Sequence, residues 1–227
     1  MDVRVTDAFR TTYPGASVGI LAMEGVENPP EDPALAEHVR QVEEELRRRW
    51  AGATRADLSQ LPELEAYRAY YKRFGKTYHV LLQLESVALK GKPLRAGSSL
   101  VLAMFAAELH NRLLTAGHDL AKVEGGITVD VAKGGEAYVG IGGRELALQP
   151  GDLYIRDEVG ILSSVIYGPD DRTQIGPDTR QAVFTVYAPA GIQAVAVASH
   201  LADIASSLCL IAPQATIAHE QVYGVEG

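Results

Sequence analysis

Residues 17–23, Ser-Val-Gly-Ile-Leu-Ala-Met, form a short and almost wholly apolar run between Pro14-Gly15 and Asn28-Pro29-Pro30. That is the pattern of a buried strand. A helix is predicted next. Asp32 can cap it and Pro33 suits its first position. Leu35, Val39, Val42 and Leu46 recur at three- and four-residue steps, with Arg47, Arg48 and Arg49 at the end where cations suit the helix dipole. Asp57 to Leu64 reads as a loop or short turn. Two further helices are predicted, one over 62–75 from Pro62 to Gly75 and one over 80–89, stopped by Lys90-Gly91-Lys92-Pro93. Ser98-Ser99 then opens a longer apolar helix, Leu100 to about Thr115, closed near Gly117.

The second half changes period. Ile127-Thr128-Val129-Asp130-Val131 alternates and reads as a strand. Lys133-Gly134-Gly135-Glu136 is a turn into Ala137–Ile141, and Gly142-Gly143 turns again into Glu145–Leu148. Asp152–Ile155, Ile161–Tyr167 and Ala182–Tyr187 are further strands, and about Ala194 to Ile211 is a final helix. Closely spaced strands with glycine turns imply antiparallel pairing rather than βαβ units. With no repeat and no long linker, the chain reads as one α+β domain over residues 1–227.

A chain of 227 residues can bury a sizeable core. Its one cysteine, Cys209, excludes an intramolecular disulfide and a cysteine-rich zinc site. The N-terminus lacks the apolar run of a secretory signal, and no stretch of about eighteen apolar residues is apparent, so a cytoplasmic protein without a membrane partner is expected. The net charge of −8 argues against non-specific DNA or RNA binding. The charge is uneven, however. Residues 66–96 carry seven basic side chains (Arg68, Lys72, Arg73, Lys76, Lys90, Lys92, Arg95) against one acid, Glu85, in a chain that is acidic on both sides. Five of its fifteen aromatics, Tyr67, Tyr70, Tyr71, Phe74 and Tyr78, fall in the same block. This is a local signature of a phosphate-facing surface. It is equally what an amphipathic helix shows when lysine and tyrosine stems cover a core.

The six histidines have no metal-ligand spacing, so neither a metal nor a cofactor is expected. Nucleophile-elbow and Walker sequences are lacking, and Gly140-Ile141-Gly142 lies in a hairpin rather than at a strand-to-helix junction. Two polar clusters remain. In Gly117-His118-Asp119-Leu120, expected at the exit of the long helix, a histidine beside an aspartate can position a base or a water; alternatively Asp119 caps the turn and His118 is ordinary surface. In Tyr167-Gly168-Pro169-Asp170-Asp171-Arg172-Thr173, with Thr179, Arg180 and Thr185 soon after, a polar loop joins two apolar strands. Such loops on a rigid sheet often carry sites, though Asp170 and Asp171 can also simply bond the backbone of a tight turn.

The order of Asp119–Ile127, Ala132–Glu136, Ile141-Gly142-Gly143, Gly151–Asp157 and Val165–Gly168 resembles the tRNA-binding and editing module of the phenylalanyl-tRNA synthetase beta chain, which also occurs as a stand-alone protein. The resemblance covers about residues 117–188 well and 62–116 loosely. It implies a three-layer α+β fold, a mostly antiparallel β-sandwich of unusual topology flanked by helices, and a role near tRNA. In the synthetase, the module hydrolyses tyrosine wrongly attached to tRNA for phenylalanine, by water attack on an aminoacyl ester and without a metal. By position, Gly168 falls on the glycine that opens the family's pocket loop, followed by Asp171, Arg172 and Thr173. Thr185 falls near the acidic residue of the next strand. The place of the family's editing histidine is about Ala116, with His118 beside Asp119, and Phe105 stands where stand-alone relatives often have asparagine.

These implications define a candidate site. His118, Asp119, Asp171, Arg172, Thr173 and Thr185 are the catalytic candidates, and Tyr167, Gly168 and Thr179 the substrate-binding ones. Lys72, Arg73, Lys76, Lys90 and Lys92 would meet tRNA phosphates. The resulting expectation is a tRNA-associated module, with trans-editing hydrolysis of a misacylated aminoacyl-tRNA as its finer form. The aminoacylation core is absent, so no tRNA ligase activity is expected. Two alternatives stand beside it: an amino-acid-like small-molecule binder or enzyme reusing the fold, and a non-catalytic module docking on a synthetase or another protein.

Overall fold

A computed structural model describes residues 1–224. Two sheets face each other, and a helical layer covers one of them, giving a three-layer α+β arrangement. The first sheet has β1 (Val3–Val5), β4 (Ile127–Val131), β7 (Leu153–Arg156), β8 (Ile161–Ser164) and β9 (Gly168–Pro169), in that spatial order. All neighbours are antiparallel except β1 and β4. The second sheet is antiparallel throughout: β11 (Thr216–Tyr223), β2 (Ser17–Glu24), β10 (Gln181–Ala188) and β3 (Thr115–Asp119). A separate hairpin, β5 (Ala137–Gly140) and β6 (Arg144–Ala147), turns through Gly142 and Gly143, whose φ values of +84° and +77° suit glycine.

Among the described residues, seven α-helices complete the fold: α1 (Asp7–Thr12), α2 (Pro33–Arg49), α3 (Arg55–Leu58), α4 (Pro62–Lys72), α5 (His79–Leu84), α6 (Ser99–Asn111) and α7 (Ala194–Ile211). Helix α5 continues as a π-helical turn over Glu85–Leu89. Helix α7 packs on β2, β10 and β11, and α2 and α6 pack on α7. Strand β2 is therefore buried on both faces, which is why its sequence is apolar without alternation. Gly19 lets α7 approach: a Cβ there would lie 2.6 Å from Val197 Cγ1.

The predicted helices over 33–49, 62–75 and 80–89 and the strands of the second half are present, and one connected core runs from Phe9 to Ile211. Four expectations need correction. The helix predicted over 100–115 ends at Asn111. Arg112 takes φ +64°, a left-handed stop held by two bonds from its guanidinium to Glu63 (3.1 and 3.3 Å). Residues 115–119 are then strand β3, not a helix exit, because β10 offers them an open edge. The strand predicted to run to Tyr167 ends at Ser164. Finally, α7 holds 18 residues at mean hydropathy 1.7, long and apolar enough by length and composition to cross a membrane. It corrects the reading that no such stretch exists. Val197, Leu201, Ile204 and Leu208 of this helix are fully buried in the core.

Candidate functional site

A cavity of about 710 Å³ opens between α6, the start of β3 and the segments 164–169 and 174–177. Its walls are largely apolar, with Val101, Met104, Phe105, Ile141, Ile166 and Ile175 among them. Among the described residues, no lysine or arginine lines it. The polar wall residues are few: Asn28, His79, Ser98, Glu108, Thr115, Ser164, Tyr167, Gln174 and Tyr187. A concave, apolar site with a few convergent polar groups has the character of a small-ligand pocket.

Of the nine catalytic and substrate-binding candidates, Tyr167 and Gly168 line this cavity, as do Phe105 and Ala116, the two positions compared with the family. Gly168 sits at φ +78°, and its carbonyl accepts from Tyr138 OH at 2.6 Å. The Tyr167 hydroxyl accepts from Gln149 Nε2 at 3.0 Å. The other seven candidates stand outside the lining, and most of them brace the wall from behind.

His118 is wholly buried. Its Nδ1 lies 2.8 Å from Thr173 Oγ1, and its Nε2 lies 3.1 Å from Ser163 Oγ. Thr173 donates its hydroxyl to Asp170, so it must accept from His118 Nδ1–H. Nε2 lies beside Ser163 Oγ, which in turn lies 2.6 Å from the Tyr187 hydroxyl. The result is an ordered chain from Tyr187 in the cavity wall, through Ser163 and His118, to Thr173 and the Asp170 carboxylate. It bridges the two sheets, since Tyr187 and His118 belong to one and Ser163 to the other.

Asp119 caps the short turn after β3: it accepts from Ala121 N–H at 3.2 Å and from Thr179 Oγ1 at 2.9 Å. Arg172 donates to the buried Asp157 at 2.8 Å and to the Lys122 carbonyl at 2.7 Å. Asp171 is exposed and receives Gly142 N–H at 3.2 Å, which ties the loop to the β5–β6 hairpin. Thr185 is buried on β10, with no partner for its hydroxyl within the described residues.

The basic block divides. Lys72, Lys76 and Lys92 are exposed. Lys90 pairs with Glu85 at 2.7 Å. The Arg73 guanidinium lies over the rings of Tyr13, Phe74 and Tyr70 at 5.2, 5.8 and 6.0 Å. Tyr67, Tyr70, Tyr71, Phe74 and Tyr78 are all buried, so they build the core and offer no stacking platform. Their hydroxyls satisfy the interior. Tyr70 donates to Asp152 at 2.9 Å, and Tyr71 donates to the Val165 carbonyl at 2.8 Å, behind the cavity wall.

The sequence reading passed over Glu108 and Tyr187. Glu108 is the one acidic residue of α6, and burial pushes its carboxyl up to about 8. A charge inside the otherwise apolar run Leu100–Leu109 was the available signal.

Residues 109–208, which include β3, β10 and the loop between the sheets, match the family model of the B3/4 domain. This stretch of the chain is similar to the B3/4 domain. A crystal structure of an N-terminal fragment of the phenylalanyl-tRNA synthetase beta-subunit from Pyrococcus horikoshii aligns with 97% of this chain at a TM-score of 0.51 and 12% identity. This chain covers 53% of that fragment, about half its length, and the likeness is one of fold. No curated protein matches the chain significantly. The walls at 114–117 and 164–177 lie inside the B3/4 region, and those at 28–30, 79 and 97–108 lie before it.

Proposed function

We propose that this B3/4 relative is a tRNA-synthetase-type module whose cavity receives the amino acid of an aminoacyl-tRNA. The observation that carries this reading is the lining. The walls are apolar, hold one carboxyl at Glu108, and contain no lysine or arginine. A free amino acid would bring a carboxylate with no cation to meet it. An aminoacyl ester brings no such charge, because its carboxyl is masked by the ribose.

The finer form of the proposal is hydrolysis. Water adds to the ester carbonyl, the bond to the ribose oxygen breaks, and the oxygen leaves with a proton. Tyr187 is the wall residue through which this chain would hold a water, its hydroxyl oxygen accepting the water's O–H. His118, Thr173 and Asp170 act as positioning residues behind it. Lys72, Lys76 and Lys92 are the exposed cations free to approach phosphate, and contacts of that kind weaken with salt.

A second reading, a small apolar amine as ligand with no tRNA attached, is favoured by the burial of the five aromatics in the basic block. Release of amino acid from a panel of aminoacyl-tRNAs by the purified chain tests the first reading, with Tyr187→Phe as the control. Turnover of at least one ester, lowered at least tenfold in Tyr187→Phe, is expected. A panel left intact removes the hydrolytic form.

A further inference from the structure

Glu108 is 1% exposed and belongs to the cavity wall. Its Oε1 accepts the Thr115 N–H at 2.7 Å. Its Oε2 is buried and has no partner among the described residues. Other polar wall groups are engaged. Asn28 donates to the Gly176 carbonyl at 2.9 Å and accepts from Leu100 N–H at 3.0 Å. Ser164 Oγ accepts from Tyr167 N–H at 3.0 Å. A carboxyl oxygen out of water without a donor is costly, and one retained in a ligand-sized apolar wall suits a donor carried by the ligand.

We infer that Glu108 is the specificity-determining residue of the cavity and pairs with a primary ammonium group on an otherwise apolar ligand. This rests on the proposed reading of the cavity, since the α-ammonium of an aminoacyl ester is such a group. A cation is favoured over a neutral donor because the wall offers it a carboxyl and no competing lysine or arginine.

The neighbours leave Glu108 to titrate. Tyr67 and Tyr71 of α4 and Tyr78 before α5 feel its charge, and burial raises all three hydroxyls. His200 of α7 reaches it through Thr115 Oγ1, at 2.7 Å, and burial pushes this histidine down to about 3. Tyr187, on the same wall, is raised by burial, and desolvation lowers His79. Near neutral pH, an incoming ammonium therefore displaces the proton of Glu108 and of none of these others.

Titration calorimetry of the full chain with 2-phenylethylamine and its neutral analogue 2-phenylethanol tests the inference. Two buffers of different ionisation enthalpy at pH 7 give the proton count. The amine is expected to bind at least tenfold more tightly than the alcohol and to release about one proton. Glu108→Gln should erase both the preference and the release, and Glu108→Asp should keep part of each. The proton count on the unaltered chain decides the matter even if a variant fails to fold. Equal binding of amine and alcohol, or a count near zero, overturns the inference. L-Phenylalanine methyl ester and aminoacyl-tRNA separate the two levels. If neither binds, the aminoacyl reading fails and this inference fails with it. If both bind Glu108→Gln as well as they bind the unaltered chain, only the role of Glu108 is refuted.

Discussion

Glu108→Gln should change how the stability of this protein depends on pH. In the unfolded chain the carboxyl titrates near 4.5; in the folded chain burial holds it near 8. Below pH 4.5 both states are protonated and the group is neutral to stability. Between about pH 5 and pH 8, unfolding releases a proton, so the folded state loses roughly 1.4 kcal/mol of stability for each pH unit. Above pH 8 both states are ionised and the loss levels off, at an accumulated cost on the order of 5 kcal/mol. Glutamine keeps the shape and the acceptor for Thr115 N–H but cannot ionise. Urea denaturation of both proteins at pH 5, 6, 7 and 8 and constant ionic strength gives the difference directly. Asp152, which burial pushes up to about 6, titrates in both proteins and cancels in the comparison. The variant should gain on the unaltered chain steadily from pH 5 to pH 8. A difference that stays flat over this range would show that Glu108 is ionised in the fold and refute the reasoning.

Other perturbations test the frame. Gly19→Ala puts a Cβ 2.6 Å from Val197 Cγ1 and should cost about 1–3 kcal/mol in chemical denaturation, because α7 must shift. His118→Ala leaves Thr173 and Ser163 without their shared partner and should cost about 2–4 kcal/mol; unchanged stability would mean the inter-sheet chain is not formed. Arg172→Ala should leave the circular dichroism native but lower stability by about 1–2 kcal/mol, because Asp157 keeps its backbone donors and loses its guanidinium. Val101→Trp pushes an indole into the cavity from its wall, and should weaken binding of 2-phenylethylamine at least tenfold in calorimetry.

Four features were legible in the sequence: β2 as an unbroken apolar run between turn residues, α2 by its three- and four-residue period, the hairpin around Gly142-Gly143 by its glycine pair, and α7 as a long apolar stretch. The break between α6 and β3 was not. Residues 100–109 and 113–117 are apolar on both sides of it, and the stop is an arginine held in a left-handed conformation by Glu63, a partner 49 residues away. Strands β1 and β11 were missed for a related reason. β1 spans only Val3–Val5, too short for its alternation to stand out, and β11 lies at a sheet edge with most of its residues exposed. Of the polar loop over 167–173, Tyr167, Gly168 and Pro169 line the cavity, and residues 170–173 stand outside its lining. What spacing could not reveal is direction. Asp170, Thr173 and Thr179 look like a polar, solvent-facing set in the sequence, yet all three turn inward and are buried.

Retention of one tRNA, charged with an apolar amino acid and then deacylated, most directly tests whether the cavity receives the amino acid. Filter binding at low salt compares the two forms on the unaltered chain and on Val101→Trp. The charged form should be held at least tenfold more tightly by the unaltered chain, and Val101→Trp should remove that margin. Equal retention of charged and uncharged tRNA, or a margin that survives the filled cavity, would contradict the account.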